Sequence, residues 1–146
     1  MSFNDKFSIR GVFTLNQYDE NGVLIDTYQD RNLVVTGGRE ATTLLIGGSG
    51  TNKEIDRIAF GTNGADPTVV DTAITDEFAK AVNAITFPST ESVQFDFSLE
   101  LAENNGVTVR EYGLLCADNT LFARKTRAPI IKDNTVRLEG TWTLNF

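Results

Sequence analysis

The sequence predicts a mainly β protein, an antiparallel β-sandwich that is jelly-roll-like and carries one or two short helices. Apolar and polar residues alternate with a period of two in several stretches, most strictly over residues 93–101, as strands with one buried face do. Short turns rich in Asn, Asp and Gly separate these stretches, which favours antiparallel pairing. One-sided alternation favours two sheets that face each other, and 146 residues suit a single domain over residues 1–146.

The order of the elements follows from these patterns. Asn21-Gly22 predicts a tight hairpin turn between the first two strands. Apolar residues at helical spacing predict a helix over residues 39–46, which Gly47 ends. Residues 61–71 read as a loop, and residues 72–82 as either a helical turn or an extended loop. The predicted strands cover residues 7–15, 23–28, 33–35, 55–60, 93–101, 107–116, 121–127 and 136–146.

The glycine-rich stretch "GGSGTNK" raises the question of a phosphate-binding loop. Such a loop needs lysine directly after its final glycine and then Ser or Thr, whereas Lys53 lies three residues after Gly50 and Glu54 follows it. The order is also wrong, because here a helix precedes and a strand follows. The stretch therefore predicts the end of a helix and a flexible connection.

Composition argues against an enzyme. The chain has no histidine, so Ser-His and Cys-His catalytic arrangements and the usual general base near neutral pH are missing. Its single cysteine, Cys116, has apolar neighbours and is expected to be a buried thiol. A formal net charge of −7 opposes binding to nucleic acid phosphates. We therefore expect no catalytic residues, no cofactor and no nucleic acid partner, with a histidine-free glycosidase built on paired carboxylates as the enzymatic alternative.

Membrane, metal and sugar sites receive little support from the pattern. No apolar stretch reaches the roughly 20 residues of a membrane span, and no signal peptide is recognisable. The acidic turns "DENG", "ADNT" and "KDNT" lack the spacing of a calcium loop and are typical of turn chemistry, so no metal site is expected. Trp142 is in register with apolar neighbours and is expected in the core, whereas Tyr18 is the better candidate for an exposed, sugar-stacking ring.

Four basic residues lie close together in "ARKTRAPIIK", and two interpretations remain open. They are a solvated strand edge that discourages mispairing, or a docking patch for an acidic partner surface. The four are Arg124, Lys125, Arg127 and Lys132.

Glu111 breaks the alternation of its strand, because it stands where an apolar residue is expected. Either a bulge near Gly113 shifts the register, or the carboxylate is buried. A buried carboxylate needs a partner, and Arg124 on the neighbouring strand is the candidate for a structural ion pair.

Three segments together resemble small structural proteins of tailed bacteriophages, which belong to the tail, baseplate or neck. These segments are "NLVVTGGREATTLLIGG", "IDRIAFGTNGADPTVVDTAITDEF" and "VREYGLLCADNTLFARKTRAPIIKDNTVRLEGTWTLNF". The resemblance covers residues 32–146 and depends on the shared order of short motifs, such as Glu-x-Gly-Leu followed by "TLFAR" and a final strand with Trp.

The resemblance implies a virion protein that is made and assembled in the bacterial cytoplasm and has no catalytic residues. It implies self-association around the tail axis as a homo-oligomer, contacts with other virion proteins, and a role in anchoring fibres. The expected adhesive parts are the segment 1–6, which is expected to be mobile, the glycine loop, and the loop 61–71. The alternative from another class is a carbohydrate-binding module that attaches to a glycan of the host surface.

Overall fold

A computed structural model describes residues 8–146 of the chain. Within this range the chain forms nine strands and one helix. The segment 1–6, expected to be mobile, lies outside the described residues. The elements are β1 (Arg10–Tyr18), β2 (Leu24–Val34), α1 (Thr36–Ile46), β3 (Ile55–Gly61), β4 (Phe78–Ala81), β5 (Ala84–Ser89), β6 (Ser92–Leu99), β7 (Val107–Cys116), β8 (Leu121–Lys132) and β9 (Arg137–Asn145).

All nine strands belong to one antiparallel sheet with the order β4-β3-β7-β8-β2-β1-β9-β6-β5. The sheet curls into a half-barrel, and β2 joins its two halves. β2 pairs with β1 along most of its length but with β8 only through Leu33 and Val34. The predicted mainly β, antiparallel class is therefore confirmed. The strands form one continuous sheet, whereas a sandwich has two separate sheets.

Aromatic side chains from both halves meet in the core inside the curled sheet. The ring of Phe13 on β1 lies 4.9 Å from that of Tyr112 on β7, and Phe60 on β3 lies 6.1 Å from Phe97 on β6. Trp142 on β9 packs edge-on against Phe13 and is fully buried, as the alternation of the last strand predicts. Ring pairs at these distances favour association of the two halves beyond simple area burial.

The half of the sheet made by β3, β7 and β8 is buried on its other face as well. A second apolar cluster there contains Val35, Ala59, Ile74, Leu115 and Leu121. Ile74 belongs to the long connection between β3 and β4, residues 62–77, which we call the strap. The strap and the start of α1 therefore cover this face.

The helix is confirmed, but it begins at Thr36, three residues before the predicted start. Gly37 and Gly38 allow its first turn to lie directly on β8, since a Cβ at Gly38 would stand 2.2 Å from the carbonyl oxygen of Phe122. The helix ends as predicted at Ile46, and Ser49 N–H donates to Leu44 O at 2.9 Å. The glycine stretch is thus a helix stop.

The two end strands of the sheet were missed by the sequence patterns. β4 lies within residues 72–82, which were predicted as a helical turn or extended loop, and no second helix occurs in residues 8–146. β5 has all six residues exposed, so no buried face produces a period of two. β8 also runs past Pro129 to Lys132, because this proline falls within a register shift where the ladder needs no N–H.

The acidic turns serve as turn caps. The Oδ1 atoms of Asp19, Asp118 and Asp133 each accept a backbone N–H two residues further on, at 2.8 to 3.1 Å. The turn chemistry expected from the sequence is confirmed at all three positions. Across residues 8–146, no helix has the length and apolar character needed to cross a bilayer.

Gly140 tests the packing inside the curled sheet. A Cβ at this position would lie 2.2 Å from Thr14 O and 2.6 Å from the Phe97 ring. We expect Gly140→Ala to lower the free energy of unfolding by about 1–3 kcal/mol, because the crowded core must shift. Chemical denaturation measures the change. Gly47→Ala is the control, since a Cβ there meets only ordinary contacts; equal effects of the two variants contradict this account of the core.

Candidate functional site

The guanidinium of Arg124 on β8 lies buried under the strap and uses each of its nitrogens. Nε donates to Glu111 Oε2 at 2.7 Å, Nη1 to Asp71 Oδ2 at 2.9 Å, and Nη2 to Asn63 O at 2.9 Å. The planar fork of arginine suits such a set of fixed acceptors. The Glu111–Arg124 ion pair expected from the sequence is thus present, and the strap supplies the two further acceptors.

Glu111 on β7 is fully buried, and both of its carboxylate oxygens are used. Its Oε1 accepts the Thr75 N–H of the strap at 2.6 Å. Of the two alternatives, the burial is confirmed; the β7–β8 register also shifts, but between Val109 and Glu111 and between Leu114 and Leu115, and not at Gly113 itself. Gly61 leaves room for the carboxylate, since a Cβ there would stand 2.5 Å from Glu111 Oε1.

Asp71 is the acidic partner that the strap contributes. Burial by itself raises the pKa of this carboxyl group, but hydrogen bonds from Thr68 and Arg124 outweigh burial and hold the pKa below its ordinary value. Together, Arg124, Glu111 and Asp71 fasten the strap to the outer face of the sheet. Contacts within the chain already hold the loop 61–71, so the expectation that a partner must order it is wrong, whereas its adhesive role stays a prediction.

The four basic residues predicted as a docking patch do not share an exposed surface. Arg124 is buried under the strap. Lys132 is also fully buried, and its Nζ donates to Leu101 O, Asn105 Oδ1 and Asp133 O at 2.8 to 3.2 Å. Burial lowers the pKa of Lys132, and the nearby carboxylates of Asp133, Glu103 and Glu100 oppose this effect only in part.

The other two basic residues bridge the gap where β8 diverges from β2. Lys125 Nζ lies 2.6 Å from Asp30 Oδ2, and this contact lowers the pKa of Asp30 to about 2. Arg127 reaches Asp26 at 3.4 Å, and its guanidinium lies 4.6 Å from the centre of the Tyr28 ring. All four cations thus serve contacts within the chain, and the patch interpretation is corrected on this ground.

Two further reactive groups, the Cys116 thiol and the Lys53 ammonium, are also buried or paired within the described part of the chain. Burial raises the pKa of the Cys116 thiol to about 11, which keeps the nucleophilic thiolate rare. Lys53 of the glycine stretch pairs with Asp118 at 2.7 Å. No group of three or more metal-ligating side chains occurs in residues 8–146.

The outer face of the β1, β9 and β6 strands is polar and contains a shallow cleft of about 180 Å³. Two carboxylates line it, Asp96 and Glu139, together with Asn and Thr side chains. Gln94 donates to Asp96 at 2.9 Å, and Arg137 donates to Glu139 at 2.7 Å. The Arg137 guanidinium also covers the nearby Tyr18 ring at 5.8 Å, so the expected sugar-stacking ring is partly occupied from within the chain.

Large apolar side chains are exposed in runs. Three consecutive ones, Val23, Leu24 and Ile25, are each more than half exposed and form what we call the hairpin tip. Leu44 to Ile46 at the end of α1 form a second run, and Ile85 and Phe87 on the end strand β5 form a third. The sequence carried a signal for the hairpin tip, since three apolar residues directly after the Asn-Gly turn break the strand alternation.

The chain was compared with models of protein families, with curated proteins and with solved structures, and none of them matches it.

The Glu111–Arg124 pair gives a direct stability prediction. Glu111→Ala leaves a buried guanidinium without its partner, and we expect a loss of about 3–5 kcal/mol in the free energy of unfolding. Glu103→Ala removes a pair with Lys80 whose side chains are 22% and 27% exposed, so both charges can still reach water and the loss should be only about 1 kcal/mol. Thermal and chemical denaturation compare the two variants, and equal small losses would refute the structural role of the buried pair.

Asp71 gives a prediction for acid stability. Its pKa is lower in the folded chain than in the unfolded one, so its contribution is complete above the unfolded pKa and is lost as the pH falls through the folded pKa. The free energy of unfolding of Asp71→Asn should therefore fall less steeply than that of the wild type between about pH 5 and 2. Asp66→Asn, in the same strap, controls for the removal of a carboxylate. Parallel curves for wild type and Asp71→Asn would contradict the assignment.

Proposed function

We propose that the chain is a non-enzymatic structural protein of a tailed-bacteriophage virion, located in the tail, baseplate or neck. It assembles there as a homo-oligomer, contacts other virion proteins and helps to anchor fibres. Its production and assembly belong to the bacterial host cytoplasm. The observation that carries the proposal is the exposure of large apolar side chains in runs on a scaffold whose β8 cations are already used in contacts within the chain.

Two of the three exposed runs lie at extremities of the sheet, and the other lies at the end of the helix. The hairpin tip ends the β1–β2 hairpin, the second run ends α1, and β5 is the last strand of the sheet. Single exposed apolar residues are ordinary, but contiguous ones mark surfaces that bind another protein. A protein that presents several such surfaces in different directions suits a place between neighbours in an assembly.

The cations of β8 support the same conclusion. They hold the strap, β2 and the β6–β7 connection by contacts within the chain, and these contacts stiffen the curled sheet. The two facing halves of the curled sheet take the role that the two separate sheets have in a jelly-roll sandwich. Together they form a rigid body whose edges bind neighbouring proteins. Rigidity of this kind favours fixed assembly geometry, because less conformational freedom is lost on binding.

The segments that resemble phage structural proteins meet in one place. "IAFG" lies on β3, "EYGLL" on β7 and "TLFAR" on β8, three neighbouring strands of the sheet. Gly61, Glu111 and Arg124 come one from each of these motifs and surround the fastening of the strap. The three motifs thus contribute residues to one structural feature of this chain. This common role supports the resemblance to phage structural proteins.

The polar cleft favours a second candidate, a carbohydrate-binding module for host attachment. Amide, hydroxyl and carboxylate groups converge there on a concave surface, and such groups can bind sugar hydroxyls by paired hydrogen bonds. The one aromatic residue at the cleft, Phe97, is fully buried, and its ring stacks on Phe13 in the core, so it offers no exposed face to a sugar. This candidate ranks second, because sugar sites combine polar groups with stacked rings.

Assembly is the expected behaviour of the purified chain. We expect light scattering at micromolar concentration to give a stable multiple of the 16.0 kDa chain mass, and electron microscopy to show closed or stacked particles. Mass spectrometry of virions from the phage or prophage that carries the gene should detect the chain in stoichiometric amounts.

The contrary result is a strictly monomeric chain that binds a host glycan with an affinity that Asp96→Asn lowers at least about tenfold, or about 1.4 kcal/mol. That outcome replaces the structural role with the carbohydrate-binding one. Hydrolysis of the glycan that Asp96→Asn and Glu139→Gln abolish would replace both with an enzymatic role.

A further inference from the structure

The hairpin tip is a rigid apolar projection. Asp19 Oδ1 accepts the N–H groups of Asn21 and Val23 at 2.8 and 2.9 Å, and Asp19 N–H donates to Val23 O at 3.0 Å. This network fixes the turn and holds Val23, Leu24 and Ile25 outward. Glu20 stands exposed beside them and forms no ion pair with the described residues.

A groove of about 370 Å³ lies at the opposite end of the same hairpin, between the start of β1 and α1. Ile9, Val34 and Ile46 give it an apolar lining. The hydroxyl groups of Thr42 and Thr43, which also line it, donate to carbonyl oxygens of their own helix at 2.8 and 2.9 Å. Their hydrogen-bond donors are thus already used, and the wall presents mainly carbon atoms.

One charged group stands at the groove, the guanidinium of Arg39, which is exposed. No acidic residue of the described chain pairs with it. The groove therefore combines an apolar lining with an unpaired positive charge, and the hairpin tip combines an apolar surface with the unpaired negative charge of Glu20. The two surfaces are complementary in chemistry.

The tip cannot reach the groove of its own chain. Ile9 immediately precedes β1 and Val34 ends β2, whereas the tip follows the other end of β1, nine residues away. At about 3.3 Å per residue, nine extended residues separate the two surfaces by roughly 30 Å. An occupant with the chemistry of the tip must come from another molecule.

We propose that the hairpin tip of one copy binds in the groove of the next copy, with Glu20 facing Arg39 of the neighbour. This inference rests on the proposed function, which it deepens by naming the interface. The contact is head-to-tail, so it generates a ring when the rotation closes and a filament when it does not. The net charge of −7 repels two copies at long range, and the local Glu20–Arg39 attraction selects this one approach.

Charge reversal tests the pairing. Glu20→Arg and Arg39→Glu, each alone, should raise the concentration of half-dissociation at least about tenfold, because each places like charges in contact. The double variant Glu20→Arg/Arg39→Glu should restore assembly to within about threefold of the wild type. Glu77→Arg is the matched control, since Glu77 is an exposed carboxylate of the strap that forms no ion pair with the described residues. Failure of the double variant to recover, with single variants impaired, overturns the pairing.

Cysteine cross-linking tests the geometry. A mixture of Leu24→Cys and Ile46→Cys chains should form disulfide-linked dimers under mild oxidation, and neither variant alone should do so. Cys116 is buried and does not interfere in the folded chain. Dimers of Leu24→Cys alone would indicate a tip-to-tip contact and overturn the proposal.

The result also separates the proposal from the function on which it rests. A wild-type oligomer that resists both charge reversals and gives no mixed cross-link overturns the tip-in-groove contact and leaves the assembly role standing. In that case the groove serves a different partner protein. A chain that stays monomeric overturns both.

Discussion

The position of the strap depends on one buried cation. Arg124 brings together a carboxylate of the neighbouring strand, a carboxylate of the strap and a carbonyl oxygen of the strap, all within 2.9 Å. A buried guanidinium left without partners is costly, so the strap is stable only where it supplies them. Once the strap is in place, Ile74 completes the second apolar cluster and Thr36 N–H donates to Val69 O, which ties the start of α1 to the same surface.

This arrangement divides the molecule into a closed half and an open half. The strands β3, β7 and β8 are covered on both faces, by the core on one side and by the strap with α1 on the other. The strands β1, β9 and β6 are covered only on the inner face, and their outer face is polar. Large apolar side chains are exposed in runs at the hairpin tip, the end of α1 and β5, and also at Val69 and Val70 of the strap and Ile131 of β8.

Only some of the residues that surround the Arg124 guanidinium could be predicted from the sequence. Glu111 could be found because a charged residue on an apolar face is an anomaly, and Arg124 because it lies on the adjacent predicted strand. Asp71 and Asn63 could not be found, because they are 53 and 61 residues from Arg124 and come from an irregular segment with no period to place it. Lys125 and Arg127 of β8 were misread for a related reason, since their acidic partners lie on β2, about a hundred residues away.

The sequence by itself determined the antiparallel β class, the helix with its glycine stop, the aspartate-capped turns and the burial of Trp142. These features depend on local periodicity and on hydrogen bonds between residues a few positions apart. Only the tertiary structure decided that the strands join into one curled sheet, that the strap lies on its outer face, and that the cations of β8 point to partners within the chain. These features depend on which distant segments bury apolar surface against one another. The hydrophobic effect is non-directional, so a local sequence pattern does not indicate which segments will meet.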